Sequence, residues 1–339
     1  MSAMSTPAAS VCSTPADTPL TTPGASPILG PQKTLDILPE DVKMIISDVD
    51  GTLFTDGHEL HPRTRDAIRH IRRTRPEMPI IPVTGKQRVS CGSLIEELGI
   101  EEFPMGCLHG AIIYDKDGNI EQSMSLDPNF VVGVTDLMKK HNKTTMLYVH
   151  DWVAMASLEQ NGKQDWEAVS RGFDPCVKDA RNTDFLDQVM KGEQQIGKIF
   201  LPMDEEVVPE FLDLLHKTFP NVPFKTTRAL PYIIEIVADG VDKSVALHYF
   251  CGKYGIQPHE VMTFGDGEND VGMFNASGYS VSMGNAMTAP REASKYKTLT
   301  NNEGGVGAFL ANAGFLDTDK AKAQVEPAIQ LSANAVELP

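Results

Sequence analysis

The chain has 339 residues, 41% of them hydrophobic, and a formal charge of -16. The length exceeds the usual single domain, so two domains with tails are expected. The negative balance argues against general binding to nucleic acid or to an anionic membrane, since both need a cationic face. No run approaches the ~20 apolar residues of a membrane span. The five cysteines are scattered without Cys-x-x-Cys spacing, a pattern of free thiols in a reducing, cytoplasmic compartment. Residues 1–40 are crowded with Ser, Thr, Pro and Ala and lack apolar periodicity, so a disordered tail is expected there. The same segment has no arginine and no continuous apolar core, unlike a transit or signal peptide.

The first strong element is Met44-Ile45-Ile46-Ser47, an apolar run that ends in Asp48-Val49-Asp50-Gly51-Thr52. Such a run reads as a strand buried in a parallel sheet, and ligands of open α/β sheets sit beyond the carboxyl ends of these strands. Two neighbouring carboxylates repel, so the pair calls for a cation, a shared proton or solvent. A hard cation such as Mg²⁺ is the simplest resolution. Taken alone, Asp-x-Asp-Gly is equally ordinary turn chemistry.

Pro62, Ala67, Ile68 and Ile71 mark an amphipathic helix whose other face carries Arg63, Arg65, Arg69, Arg72 and Arg73. With no aromatic residues interleaved to stack bases, this face reads as solvated rather than RNA-binding. His58 and His61 lack a third nitrogen or sulfur ligand nearby and read as loop residues. Ile80 to Val83 is a second strand, ending in Thr84-Gly85-Lys86, and Val89 to Leu98 is a helix. A hydroxyl followed by glycine lets a side chain and a backbone N–H approach a phosphate oxygen. Leu108 to Tyr114, followed by Asp115-Lys116-Asp117-Gly118, reads as a strand and hairpin.

From 122 to 229 the pattern changes. Phe130 to His141 is a helix, and Thr145 to Val149 with Trp152 to Met155 forms a hairpin around His150-Asp151, but no strand ends in a polar motif. Tyr232 to Val237 is then expected to resume the first domain, followed by Asp242-Lys243 at the start of a helix that runs through Phe250. Val261 to Gly265 delivers Asp266, and Glu268-Asn269-Asp270 opens another helix. Tyr279 to Met283, then helices at 286–293 and 304–310, complete the domain before a flexible tail at 317–339.

The ordered set Asp48-Val49-Asp50-Gly51-Thr52, Thr84-Gly85, Lys243 and Gly265-Asp266-Gly267-Glu268-Asn269-Asp270 resembles the four motifs of the haloacid dehalogenase (HAD) superfamily. The form of the last is similar to the Cof-type, or IIB, subgroup, and the resemblance runs from about Val42 to about Leu310. It implies an α/β fold: a Rossmann-like parallel-sheet core with helices on both faces, at 41–121 and 230–316, and an inserted α/β cap at 122–229. It further implies Asp48 as nucleophile and Asp50 as general acid and base, with Thr84, Gly85 and Lys243 binding phosphate. Mg²⁺ would be held by Asp48, the Asp50 backbone carbonyl and Asp266, supported by Asn269 and Asp270. The implied activity is Mg²⁺-dependent hydrolysis of a small phosphorylated metabolite, with a sugar phosphate the leading choice, by a monomer or homodimer.

Three positions depart from that pattern. Relatives commonly carry arginine where this chain has Lys86, Asn-Gly-Ala where it has His109-Gly110-Ala111, and glycine where it has Ser244. Lys86 is thus a substrate candidate without a planar fork, and His109 is either a substrate contact or a packing replacement. Tyr148, His150, Asp151, Trp152 and Arg228 are candidate specificity residues of the cap. A phosphomutase using the same Asp48 is the alternative activity. A noncatalytic HAD-like binding or regulatory protein is the alternative of another class, expected to have lost Asp48, Asp50 or Asp266.

Overall fold

Met44–Ser47 is a strand with every residue buried. It lies between two parallel neighbours, with Ser47 opposite Phe264 on one side and Pro82 on the other. The computed structural model describes residues 37–228 and 230–316, so most of both expected tails lies outside the described residues. Residues 37–40 are an exception to the expected disorder: Ile37 is buried, and Arg75 donates to the carbonyl of Pro39 at 2.7 Å. Among the described residues the core sheet runs in the order Tyr296–Lys297, Tyr279–Ser282, Val261–Gly265, Met44–Ser47, Ile80–Pro82, parallel throughout. Three adjacent strands therefore finish side by side and deliver Asp266, Asp48 and Thr84 to one edge. Met44, Ile46, Ile81 and Val83 pack with Ala246, Leu247 and Phe250 of the helix Lys243–Tyr254.

The arginine face of helix Pro62–Thr74 is less free than its sequence suggests. Arg69 Nε donates to the Glu97 carbonyl at 2.7 Å, Arg72 Nε to that of Gly99 at 3.2 Å, and Arg72 also pairs with Glu102. These side chains fasten the helix to the next helix–loop unit.

A six-stranded sheet runs in the order Phe224–Thr227, Ile233–Ala238, Lys198–Pro202, Thr145–Tyr148, Val153–Ser157, Val177–Asp179. Here one expectation fails. The segment beginning at Tyr232 does not resume the core: Ile233–Ala238 pairs antiparallel with Phe224–Thr227 and with Lys198–Pro202, so the inserted sheet extends past 229 to Ala238. The apolar run alone could not reveal this, because both sheets accept a buried strand and only the pairing partners differ. Likewise, Leu108 to Tyr114 is not one strand. Met105–Cys107 and Ile112–Tyr114 are separated by a turn in which Leu108 and His109 adopt left-handed φ values of 49° and 61°.

Successive residues of a strand face opposite ways, and the inserted sheet uses this strictly. Leu147, Ile199, Leu201, Ile234 and Ile236 pack under the helices Pro128–Lys140, Phe185–Met190 and Val208–Thr218. Their alternates Tyr148, Lys198, Phe200 and Glu235 fall on the other face, brought into line by the pairings Tyr148↔Lys198 and Glu235↔Phe200. That face meets the core. Lys198 Nζ donates to the Gly85 carbonyl at 2.6 Å and to Glu235 Oε1 at 2.7 Å, while Glu235 Oε2 lies 3.2 Å from His109 Nε2. The Gln87 amide donates to the carbonyls of Val149 (2.5 Å) and Trp152 (3.3 Å), and Tyr114 Oη donates to that of His150 at 2.7 Å.

Burial alone would raise the Glu235 carboxyl, but Lys198 and His109 outweigh it and hold the group well below the ordinary value of 4.5. A depressed carboxylate contributes stability above its unfolded value, and the contribution fades as pH falls through 4.5 toward the folded value. In urea titrations the advantage of the wild type over Glu235→Gln should therefore be full near about pH 6 and smaller near about pH 4. Lys198→Met should cost ~3–5 kcal/mol by stranding a buried charge, and the double variant Lys198→Met/Glu235→Leu should recover most of that loss.

Candidate active site

The chain leaves the Met44–Ser47 strand through Asp48 and turns at Gly51, whose φ is 71° and whose missing side chain makes room for the Asp266 carboxylate. Asp48 is buried, and Lys243 Nζ lies 2.6 Å from its Oδ1. The same ammonium donates to Asp270 Oδ1 at 2.6 Å. Asp270 Oδ2 in turn accepts the backbone N–H groups of Asp266 (2.8 Å) and Gly267 (2.9 Å). Asp266 is steadied by Thr52 Oγ1, 3.1 Å from Oδ1, and by Asn285 Nδ2, 3.2 Å from Oδ2. Asn285 Nδ2 also donates to the Gly51 carbonyl at 2.9 Å, which ties the two motif loops together.

Carboxylate oxygens of Asp48, Asp266 and Asp270 all lie within 4.8 Å of one another. Burial, then the neighbouring carboxylates, push Asp48 well above the usual carboxylate range, with Lys243 opposing; burial and Asp270 push Asp266 up to about 7. Burial also works against the charge of Lys243, but Asp270 and Asp48 overcome it and hold the ammonium protonated. An all-oxygen donor set in which like charges strain against one another suits a hard divalent cation, which would restore full ionisation. Asp270 is the most fully engaged, with two backbone N–H groups on Oδ2 and the Lys243 ammonium on Oδ1. Each oxygen of Asp266 accepts a single neutral donor, so Asp48 and Asp266 are the carboxylates with lone pairs to offer, and Asp270 holds the others in place. The Asp50 carboxylate is not one of the three. It pairs with Lys86 Nζ at 2.8 Å and faces His58 Nδ1 at 3.6 Å.

Thr84 Oγ1 accepts the Lys86 N–H at 3.1 Å, which folds the second motif over the end of its strand. His109 is fully buried against Gly85, with Nδ1 3.1 Å from Asn269 Nδ2 and Nε2 facing Glu235. Burial lowers its basicity, with Glu235 opposing. Both ring nitrogens thus have protein neighbours, which favours a packing and positioning role for His109 over a free substrate contact. His61 accepts the Arg63 N–H and caps its helix, leaving its ring no role in the site.

A cavity of about 410 Å³ opens between the strand ends and the inserted sheet. Asp48, Asp50, Thr84, Lys86, Asp266 and Asn269 line it from the core side. Of the five candidates from the cap only Tyr148 lines it; His150, Asp151, Trp152 and Arg228 do not. Residues that the sequence reading missed line it instead: Phe173, Asp174, Lys198, Phe200 and Glu235 from the inserted sheet and its helix, and Asn285 from the core. Lys198 and Glu235 did carry a signal, since each is a lone charge inside an otherwise apolar strand-like run.

Residues 45–310 match the model of the haloacid dehalogenase-like hydrolases. An uncharacterized hydrolase of Schizosaccharomyces pombe is 33% identical over 83% of this chain and 96% of its own length. The 5-amino-6-(5-phospho-D-ribitylamino)uracil phosphatase YcsE of Bacillus subtilis is 29% identical over 80% and 95%. The crystal structure of TM0651 from Thermotoga maritima superposes with a TM-score of 0.65 at 26% identity, covering 78% of this chain and 95% of that one. With the motif residues gathered at adjacent strand ends and the match running through both of its halves, the chain belongs to the haloacid dehalogenase-like hydrolase family.

Proposed function

We propose that the protein is a Mg²⁺-dependent phosphomonoester hydrolase that works through an aspartyl phosphate on Asp48. Its substrate is a small phosphorylated metabolite. The observation that carries this reading is the Lys243 ammonium held between Asp48 and Asp270, with Asp266 beside them, at the tips of neighbouring parallel strands. The phosphatase description of the Bacillus relative supports the same activity. We assign 41–121 and 239–316 to the core and 122–238 to a cap that shields the intermediate from unselected water.

Asp48, Asp266 and the backbone carbonyl of Asp50 would hold Mg²⁺, whose charge offsets the repulsion between an attacking carboxylate and a dianionic phosphoryl group. Lys243 occupies Asp48 Oδ1, leaving the other oxygen to attack phosphorus as the ester P–O bond breaks. Asp50, entering the cycle protonated, gives the leaving alkoxide its proton; as a carboxylate, paired with Lys86, it then takes one from the water that cleaves the acyl phosphate. Thr84, the Gly85 N–H and Lys243 receive the non-bridging oxygens. Free phosphate and regenerated Asp48 close the cycle. Phosphate release distinguishes this outcome from that of a phosphomutase, which returns the group to an organic acceptor.

Two tests follow. Excess chelator should abolish turnover and Mg²⁺ restore it, with Ca²⁺ failing because its larger, looser shell spoils in-line geometry; full activity in chelator would end the proposal. With a nitrophenyl phosphate, Asp50→Asn should lose ~10²–10⁴ in steady rate and accumulate one phosphoryl group by intact mass, since attack by water lacks its base. Asp48→Asn should carry none, and labelling that persists there would mean that the nucleophile is another residue.

A further inference from the structure

We propose that the phosphomonoester this site prefers carries a planar aromatic or heteroaromatic ring on its leaving group, received by the underside of the cap. The inference deepens the hydrolase reading and rests on it. The phosphate end of the cavity is polar, and the opposite wall is rich in aromatic surface. Its aromatic members are Tyr148, Phe173, Phe200 and Tyr232, with Leu230 and Ile233 beside them. Phe200 lies at the centre of this wall, its ring centroid 6.0 Å from that of Tyr148 and 6.1 Å from that of Phe173.

Most charged atoms of the same wall already hold protein partners. Asp174 accepts Ser90 Oγ on one oxygen and Tyr148 Oη, at 2.7 Å, on the other. Lys198 Nζ is shared between the Gly85 carbonyl and Glu235, and sits 4.0 Å from the centre of the Tyr148 ring. Glu235 Oε1 accepts from Lys198, and its Oε2 faces His109 Nε2 at 3.2 Å. A simple sugar or polyol moiety brought against the ring surfaces of this wall would give up its water without equivalent partners there. A planar ring loses little hydration there, and ring faces and edges offer it offset-stacked or edge-on contacts. The site therefore sorts leaving groups by shape and π surface, with the phosphate common to all.

The matched probes are uridine 5′-monophosphate and ribose 5-phosphate, which share the phosphorylated pentose and differ by one heteroaromatic ring. Pyridoxal 5′-phosphate and flavin mononucleotide serve as further ring-bearing probes, and glucose 6-phosphate as a further ring-free one. The best ring-bearing probe should exceed both ring-free ones in kcat/KM by ~10-fold or more, and calorimetry on the Asp48→Asn protein with Mg²⁺ should give the same order of binding. Phe173→Leu should shrink the ratio of ring-bearing to ring-free kcat/KM by ~3–10-fold; a merely structural role would lower both alike. Ring-free probes that match or exceed every ring-bearing one in rate and in binding would overturn the inference and leave the hydrolase standing. Binding in the expected order with no phosphate released from any probe would instead overturn the hydrolase reading.

Discussion

Three carboxylates and one ammonium crowded into the tips of neighbouring parallel strands form the constraint on which the rest of this molecule depends. Bare, such a cluster is costly: burial and mutual repulsion push Asp48 and Asp266 above their ordinary range. The protein meets that cost locally, with Lys243 between two of the carboxylates, two backbone N–H groups on Asp270, and Thr52 and Asn285 on Asp266. These supports come from four separated stretches of chain, so the site exists only when the core sheet is assembled in its order.

The inserted sheet answers a different need. One face carries an ordinary apolar core beneath three helices; the other carries aromatic rings and a buried ion pair over the strand tips. A buried ion pair is a poor source of net stability compared with an apolar replacement. Its worth here lies in direction: Lys198 donates to the Gly85 carbonyl of the core, and Glu235 faces His109 of the core at 3.2 Å. The cap is thereby seated in one position rather than merely attracted.

The core half of the site is legible in the sequence for a physical reason. Asp48 and Asp50 after a buried strand are ordinary turn chemistry when taken alone, but Thr84 and Asp266 repeat the pattern at the ends of two further apolar runs. The cap half is harder to read. Glu235 stands among isoleucines and a valine, and whether that run joins the core sheet or the inserted one depends on distant partners such as Phe200. Asn285, in a short loop after a strand, is indistinguishable from a turn residue until its amide is seen bridging Gly51 and Asp266. His109 shows the limit from another side: the departure at this position is visible, but the left-handed backbone and the neighbours of its ring nitrogens are not.

The strand that carries Glu235 ends at Ala238, and Asp242 begins the turn into the helix of Lys243. Asp239, Gly240 and Val241 are all that separate them, a leash of about 10 Å when fully drawn out. Lys225, from the neighbouring strand of the inserted sheet, also grips Asp242 at 2.9 Å. This return of the chain from the inserted sheet is thus the mooring of the ammonium that faces Asp48. Any swing of the inserted sheet would draw on the start of that helix within three residues, so the opening of the cavity and the placing of the Lys243 charge share one mechanical joint.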